Sequence, residues 1–319
     1  MTTSAAWTLV RVAISVAVLA LVARGIDVTA ALAALSGFSL SAIVAALALV
    51  AVDRLLMMWR WRLLVRPATD LPDRALAHIF FVSSFIGSFL PAGVGGDAAR
   101  AFAVGRHTGH AGPAVASVLV DRWLGLLAVG LSGCAGLLLT LHGVPDGARA
   151  LVVTATMVLA SGTIAGLFAD QLLERLAPSW LRTGRLWRLA VRLAAALAEY
   201  RDRGAILAKV ALLSVAVQAL RIVLAFVLGL SLGIDLPFRY YWVFMPLNIL
   251  VILLPLSLGG FGLPQGTMIW TLGPLGVAPT PAFLLSTLFV GIGIIGNLPG
   301  AWLYATGREL PVGAARRPL

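Results

Sequence analysis

Charge and cysteine are scarce in this chain of 319 residues. Only 12% of the residues are charged, which is about half the share found in a soluble domain. Cys134 is the only cysteine, so neither a disulfide framework nor a cysteine-based zinc site can form. The four histidines show no metal-ligand spacing, and no G-x-x-x-x-G-K loop for a nucleotide is present. We therefore expect no metal and no cofactor.

Apolar residues dominate instead. They make up 60% of the sequence, and the mean hydropathy is +0.99. A bilayer crossing takes about 20 residues, and six stretches approach or exceed that length. The fold class predicted is an all-α polytopic membrane protein in which 1–319 forms a single transmembrane domain. The six predicted spans are Trp7–Ala23, Ser41–Leu64, Pro113–Leu141, Arg149–Ala169, Ile206–Leu232 and Pro281–Thr306.

Two apolar stretches are too short to cross a bilayer. Ala75–Leu90 and Tyr240–Leu254 each run directly into proline and glycine. A helix of about 15 residues covers only two-thirds to three-quarters of the hydrocarbon core. We interpret both as the descending arms of re-entrant helical hairpins.

Arginine carries nearly all of the net charge of +11, because Lys209 is the only lysine. The arginines cluster between apolar runs, a pattern that favours a positive-inside membrane protein over a nucleic-acid partner. The connection at 60–74, the amphipathic connector at 170–205 and the C-terminal tail are the basic ones. We expect these parts and both termini to be cytoplasmic, in the inner membrane of a prokaryote. Segment 185–203 either lies on the cytoplasmic leaflet or is a solvated connector helix.

Adjacent glycines occur twice, and each pair follows a leucine-proline at the same spacing. LPAGVGG begins at Leu90 and LPLSLGG begins at Leu254, so the offset is 164 residues. The same offset relates the spans on either side. The charge-derived topology gives the two halves opposite directions, so we predict inverted repeats at 1–141 and 149–306, an architecture of many transporters.

The first glycine motif leads into a charged helix start. Asp97 follows the glycines, and Arg100 lies one turn later on the same face. Free N–H groups at a helix start suit an anion such as a phosphate headgroup. The alternative is that Asp97 and Arg100 pair with each other and only cap the hairpin.

Further polar residues lie within apolar stretches. Arg221 is near the middle of its span, where a charge must face the protein interior. Either it contacts a ligand, or it forms an ion pair with Asp53 or Asp121. The second hairpin has no charge, and Gln265 is its only long polar side chain. The candidate substrate-binding residues are Asp53, Arg54, Asp97, Arg100, Asp121, Arg122, Arg221, Gln265 and Asn297.

The stretches LPAGVGGDAARAF and PLSLGGFGLPQG, together with Asp121-Arg122, resemble the flippase-like membrane region of lysylphosphatidylglycerol synthases. The resemblance covers roughly 7–308 and implies a lipid-translocation domain with two hairpins that face a central cavity. Gln265 departs from the acidic residue that the family often has there, which argues against a cationic aminoacylated lipid. The resemblance places the hairpin motifs on Pro91, Gly93, Gly95, Gly96, Asp97 and Arg100, and on Pro255, Gly259, Gly260 and Gly262.

These observations predict a non-enzymatic flippase or transporter of an anionic or glycosylated membrane lipid. A membrane-embedded lipid-modifying enzyme is one alternative, with Asp97 or Asp121 beside His107 as the acid and base. A non-transporting subunit of a lipid glycosyltransferase system is the other. A homo-oligomer and a lipid-synthesising or glycosyltransferase partner stay open.

The arginine asymmetry predicts accessibility in intact cells. In a Cys134→Ala background, a cysteine introduced near Gly143 should react with a membrane-impermeant maleimide added outside. A cysteine at Thr183 should not react, because the connector at 170–205 is expected inside. Labelling at Thr183 would reverse the predicted orientation.

Overall fold

The computed structural model describes residues 38–90, 94–109, 111–140, 143–176, 184–252 and 261–306, with the single residues Thr29, Leu32, Ser36 and Arg182. These residues form α-helices and short connections, without a β-strand in the described part of the chain. The predicted all-α class is confirmed. The helices of the described ranges are α1 Leu40–Val65, α2 Asp73–Ser88, α3 Val94–Thr108, α4 Ala111–Leu139, α5 Asp146–Leu167, α6 Ala169–Leu176, α7 Arg185–Ala198, α8 Gly204–Ser231, α9 Phe238–Ile252, α10 Leu263–Leu272, α11 Pro279–Ile295 and α12 Leu298–Ala305.

Among the described residues, five helical segments are long and apolar enough to cross a membrane. They are α1, α4, α5, α8 and the α11–α12 pair, which confirms five of the six predicted spans. The remaining one, Trp7–Ala23, lies outside the described residues. The last span is interrupted at Gly296 and Asn297 because Pro299 has no backbone N–H to continue the helical ladder.

The outer surfaces of these helices are apolar. Leu138, Leu212 and Trp302 have exposed fractions of 81%, 71% and 71%. Exposure of so much apolar surface to water costs free energy, whereas its contact with lipid chains does not. The bundle is therefore built to be solvated by lipid.

The short helices form two closely packed pairs. α3 packs back against α2, and Gly96 approaches the backbone of Ser83 and Gly87 so closely that a side chain would overlap it. In the second pair, α10 packs against α9, and Gly262 at its start has φ +105°, a value that favours glycine. The turn residues Pro91, Gly93, Pro255, Gly259 and Gly260 lie outside the described residues.

Helix boundaries recur along the chain at nearly one spacing. α1 and α8 begin 204 − 40 = 164 residues apart, α2 and α9 begin 238 − 73 = 165 apart, and α3 and α10 end 272 − 108 = 164 apart. α1 and α8 pack against each other. Asp53 contacts Arg221 and Arg60 contacts Ser214, so the two helices run antiparallel.

The packing partners recur as well. α4 packs on α9, and the equivalent α12 packs on α2. At the same offset, 300 − 136 = 164, two glycines make these close contacts. Gly136 faces the backbone of Trp242, and Gly300 faces the carbonyl group of Phe81.

The basic connector is folded onto the bundle. α7 occupies most of the predicted amphipathic segment and packs on α4 and α6. Leu193 and Leu197 join a core cluster, but Leu189 is exposed. The Tyr200 hydroxyl donates to the Leu64 carbonyl at 2.8 Å, which ties the connector to α1, and burial raises the pKa of Tyr200.

The close contact of Gly300 predicts that a side chain at this position lowers the stability of the protein. Gly300→Ala would place a methyl group against the Phe81 carbonyl, where only a backbone shift can make room. Overpacking typically costs about 1–3 kcal/mol, so we expect a clearly lower unfolding temperature in detergent.

Gly291→Ala in the same span is the matched control, because nothing lies within 4 Å of the added carbon. It should unfold at or slightly above the wild-type temperature, since alanine is the better helix former. Equal melting of the two variants would contradict the close approach of α12 to α2.

Candidate functional site

A cavity of about 320 Å³ lies among α1, α2, α3, α4, α8, α9 and α11. Its size is at the lower end of the range typical of small-molecule sites, about 300–1,000 Å³. Both short-helix pairs contribute to its wall, α2 and α3 through Ser83 to Arg100 and α9 through Ile249 and Ile252. The cavity is therefore formed where the two packed pairs meet the spanning helices.

Eight charged side chains line this cavity, all of them arginine or aspartate. They are Arg54, Arg60, Arg100, Arg122, Arg221, Asp53, Asp97 and Asp121. Asp53 lies thirteen residues from the start of α1 and twelve from its end, or about 20 Å and 18 Å along the helix. Charges at such depth need partners inside the protein.

Asp121 on α4 joins three helices through two arginines. Its Oδ1 accepts a hydrogen bond from Arg60 Nε at 2.7 Å, and its Oδ2 lies 3.6 Å from Arg100 Nη1. Arg60 also donates to the Ser214 hydroxyl of α8 at 3.2 Å. Gly125, one turn after Asp121, leaves room for the Arg60 guanidinium. α1, α3, α4 and α8 are thus connected by polar contacts.

Arg100 on α3 contacts two aromatic rings, a hydroxyl group and a carboxylate. Its guanidinium carbon lies 5.1 Å from the centre of the Trp61 ring and 4.8 Å from that of Phe80. Both distances are within reach of a cation–π interaction. Its Nε donates to the Ser83 hydroxyl at 3.3 Å, and the residue is only 5% exposed. Arg100 therefore joins α3 to α1 and α2.

Asp97 lies in the first turn of α3 and faces α4. Its Oδ2 accepts a hydrogen bond from Arg122 Nε at 2.7 Å, whereas its contact with Arg100 is 3.9 Å long. The principal partner of Asp97 is therefore Arg122. The local Asp97–Arg100 pair that the sequence left open exists, but it is the weaker of the two.

Arg221 on α8 pairs with α1. Its Nε donates to Asp53 Oδ1 at 2.8 Å, which is one of the two ion pairs that the sequence left open. The other Asp53 oxygen lies 3.5 Å from Arg54 Nε, but neither atom has a hydrogen-bond partner among the described residues. Of the five arginines that line the cavity, Arg54 is the one whose nearest polar contacts are longest, at 3.5 Å to Asp53 and 3.7 Å to the Met57 sulfur.

Exposure divides the eight charged residues into two groups of four. The side chains of Asp53, Arg60, Arg100 and Asp121 are 5–7% exposed. We call these four the buried set. The side chains of Arg54, Arg122, Arg221 and Asp97 are 16–28% exposed. We call these four the accessible set, because a ligand in the cavity can reach them.

The rest of the cavity wall is mainly apolar. α8, α9 and α11 present an apolar wall made by Leu220, Leu224, Ile249, Ile252, Phe289, Val290 and Ile294. Asn297 lies at its edge and donates to the Ser88 hydroxyl at 2.8 Å, while its Oδ1 is buried without a partner among the described residues. The cavity wall therefore combines charged side chains with hydrocarbon.

Gln265 is not among the residues that line the cavity. It is fully buried, and its Oε1 accepts from the Gly262 N–H at 2.6 Å. It therefore caps the start of α10, which is a structural role. The other eight candidate substrate-binding residues lie together in the cavity wall.

Sequence reasoning missed Arg60, Ser83 and Ser214. Arg60 is near the end of its predicted span, so the sequence groups it with the cytoplasmic arginines of the connection at 60–74. Its spacing from Asp53 was the available signal, since residues seven apart share a helical face. No sequence pattern distinguishes the two serines from the chain's other serines.

The helical bundle with its apolar outer surface and its charge-lined cavity at membrane depth is that of a multi-pass membrane protein. The family model for the lysylphosphatidylglycerol synthase TM region matches residues 8–300. The chain therefore belongs to the lysylphosphatidylglycerol synthase TM region family, which confirms the resemblance of the glycine motifs. No curated protein matches the sequence.

Removing Asp121 should destabilise the protein. Asp121→Ala leaves Arg60 and Arg100 buried with an excess of positive charge. Loss of one partner from a buried ion pair costs about 3–5 kcal/mol. We expect reduced yield of folded protein and a large fall in its unfolding temperature.

Asp73→Ala is the matched control, because Asp73 is also bridged by two arginines, Arg62 and Arg66, but on the surface. A hydrogen bond from Arg62 lowers the pKa of the Asp73 carboxyl, so Asp73 is ionised at neutral pH. Exposed ion pairs contribute little. An equal effect of the two variants would show that the Asp121 contacts are not needed for folding.

Proposed function

We propose that the protein is a non-enzymatic transporter that moves an anionic lipid, including a glycosylated one with a phosphate, across the cytoplasmic membrane of a prokaryote. The observation that carries this proposal is the cavity at membrane depth that is lined by five arginines and by many apolar side chains. Guanidinium groups bind phosphate through paired hydrogen bonds, and the apolar wall suits a hydrocarbon chain. Membership of a family named for a lipid synthase's membrane region supports a lipid as the ligand.

Inverted repeats with two re-entrant hairpins are part of the proposal. Support comes from the recurrence of helix boundaries at about 164 residues and from the antiparallel packing of the equivalent α1 and α8. The exchange of packing partners, α4 with α9 and α12 with α2, is what a two-fold relation requires. Transport by rocking of one repeat against the other uses this kind of architecture. Cytoplasmic termini follow from the arginine asymmetry.

An enzymatic reading has less support. Asp97 and Asp121 are each engaged by arginine, and His107 is not among the residues that line the cavity. A general acid–base pair would have to be within reach of one substrate. No structural observation specifically favours the enzyme or the glycosyltransferase-subunit alternative. The following test distinguishes both of them from transport.

Reconstitution into liposomes tests the proposal. Purified protein should accelerate the movement of a fluorescent anionic phospholipid between leaflets, read by chemical quenching of the outer leaflet. Arg221→Ala should reduce this rate about tenfold or more, since a hydrogen bond to a charged group contributes about 1.5–3 kcal/mol. Arg221→Lys should rescue only in part, because lysine keeps the charge but loses the planar fork.

Arg201→Ala is the control, because Arg201 is paired with Asp170 in the connector, away from the cavity. It should move lipid at the wild-type rate. Arg54→Ala serves as a second cavity variant, since Arg54 makes the fewest contacts that folding could depend on. Wild-type protein without any acceleration would remove the transport proposal and favour the subunit or enzyme alternatives.

A further inference from the structure

The two sets of charged residues differ in net charge. The buried set has two arginines, Arg60 and Arg100, and two aspartates, Asp53 and Asp121. The accessible set has three arginines and one aspartate, Asp97, and two of these arginines, Arg54 and Arg221, share Asp53 of the buried set as their partner. The buried set therefore has a net charge of 0, and the accessible set has a net charge of +2. The turn segments 91–93 and 253–260, which follow α2 and α9, carry no charged residue.

We infer that the ligand is a lipid whose headgroup ends in a phosphate with two negative charges, a phosphate monoester or diphosphate, in preference to a phosphodiester or a zwitterion. This inference rests on the proposed function. An uncompensated charge at membrane depth costs about 2.5–3.5 kcal/mol on insertion scales. A headgroup with two negative charges neutralises the net charge of +2 on the accessible set. A headgroup with one negative charge leaves one positive charge in excess, and a zwitterionic headgroup leaves two.

The donors also match a terminal phosphate. Arg54, Arg122 and Arg221 come from α1, α4 and α8 and converge on one cavity. A phosphate monoester offers three acceptor oxygens, whereas a diester offers two that are not bridged. The side chain of Arg54 is 16% exposed, and its one hydrogen bond among the described residues is a long one from Nη1 to the Met57 sulfur at 3.7 Å, so part of its guanidinium can bind a ligand without breaking a strong hydrogen bond.

The cavity has no good place for a cationic headgroup. Among the described residues Asp97 is the only accessible carboxylate in its wall, and Arg122 already donates to it. An ammonium group would have to displace this arginine and would lie among three guanidinium groups. Apart from Arg221, the residues that line the cavity on α8, α9 and α11 have no charged or polar side chain.

Binding to the purified full chain in detergent tests the inference. The probes are phosphatidic acid, phosphatidylglycerol and phosphatidylcholine with identical acyl chains, and inorganic phosphate. Phosphatidic acid should bind about tenfold or more tightly than phosphatidylglycerol, as expected for about 1.4 kcal/mol or more from the second charge. Its affinity should rise as pH increases through about 6, where a phosphate monoester loses its second proton, while that of phosphatidylglycerol should not.

Charge variants provide an independent readout. Arg54→Gln lowers the accessible charge to +1, so the preference for phosphatidic acid should fall to about threefold or less, in line with a charge-assisted bond lost. Arg201→Gln, which removes an arginine outside the cavity, should leave the preference unchanged. A preference that Arg54→Gln does not alter would place the discrimination elsewhere and overturn the inference.

Failure of the inference can be separated from failure of the proposed function. Equal binding of phosphatidic acid and phosphatidylglycerol would overturn the two-charge inference but leave an anionic lipid as the ligand. Competition by inorganic phosphate at the same concentration as the lipid would assign the site to free phosphate. No binding of either anionic lipid would reject the proposed function itself.

Discussion

Burial of charge in a lipid-solvated bundle is the constraint on which this structure depends. Asp121 is 5% exposed and lies between Arg60 and Arg100, which are 4% and 5% exposed. Each of the three would be an unpaired buried charge without the others, and desolvation of a single ion costs several kcal/mol. Their contacts require α1, α3 and α4 to approach one another. The ion pairs therefore specify how these helices pack.

The charged cluster belongs almost entirely to one half of the molecule. Asp97, Arg100, Asp121 and Arg122 have Phe261, Pro264, Leu285 and Ser286 at the positions 164 residues later. In the described part of the second half Arg221 is the only charged residue that lines the cavity, and the residue at this offset from it is Met57, whose sulfur contacts the Arg221 guanidinium. In the proposed function, the first half supplies most of the charges that meet the headgroup, and the second half supplies much of the hydrocarbon.

This division matches what an amphiphile needs from a transporter. A lipid must keep its headgroup solvated while its chains stay in an apolar medium. Arginines that are partly exposed to the cavity can replace the water of the headgroup. The contacts of Asp121 with Arg60 and Arg100 lie within the buried set, so occupation of the cavity need not disturb them. Arg122 and Arg221 differ, because each also joins two helices through an aspartate.

The sequence alone determined the membrane class, five of the spans and the two short helices. The length and hydropathy of an apolar run are local properties, and a chain segment surrounded by lipid forms a helix because its backbone hydrogen bonds must be satisfied internally. The sequence also found eight of the cavity's polar candidates, since charge in an apolar run is rare and expensive. Only the tertiary structure assigned their partners. Arg122 rather than Arg100 is the principal partner of Asp97, Arg60 lies in the cavity, and Gln265 caps a helix instead of lining the site. These assignments depend on which helical faces meet, and that is decided by contacts between residues far apart in the chain.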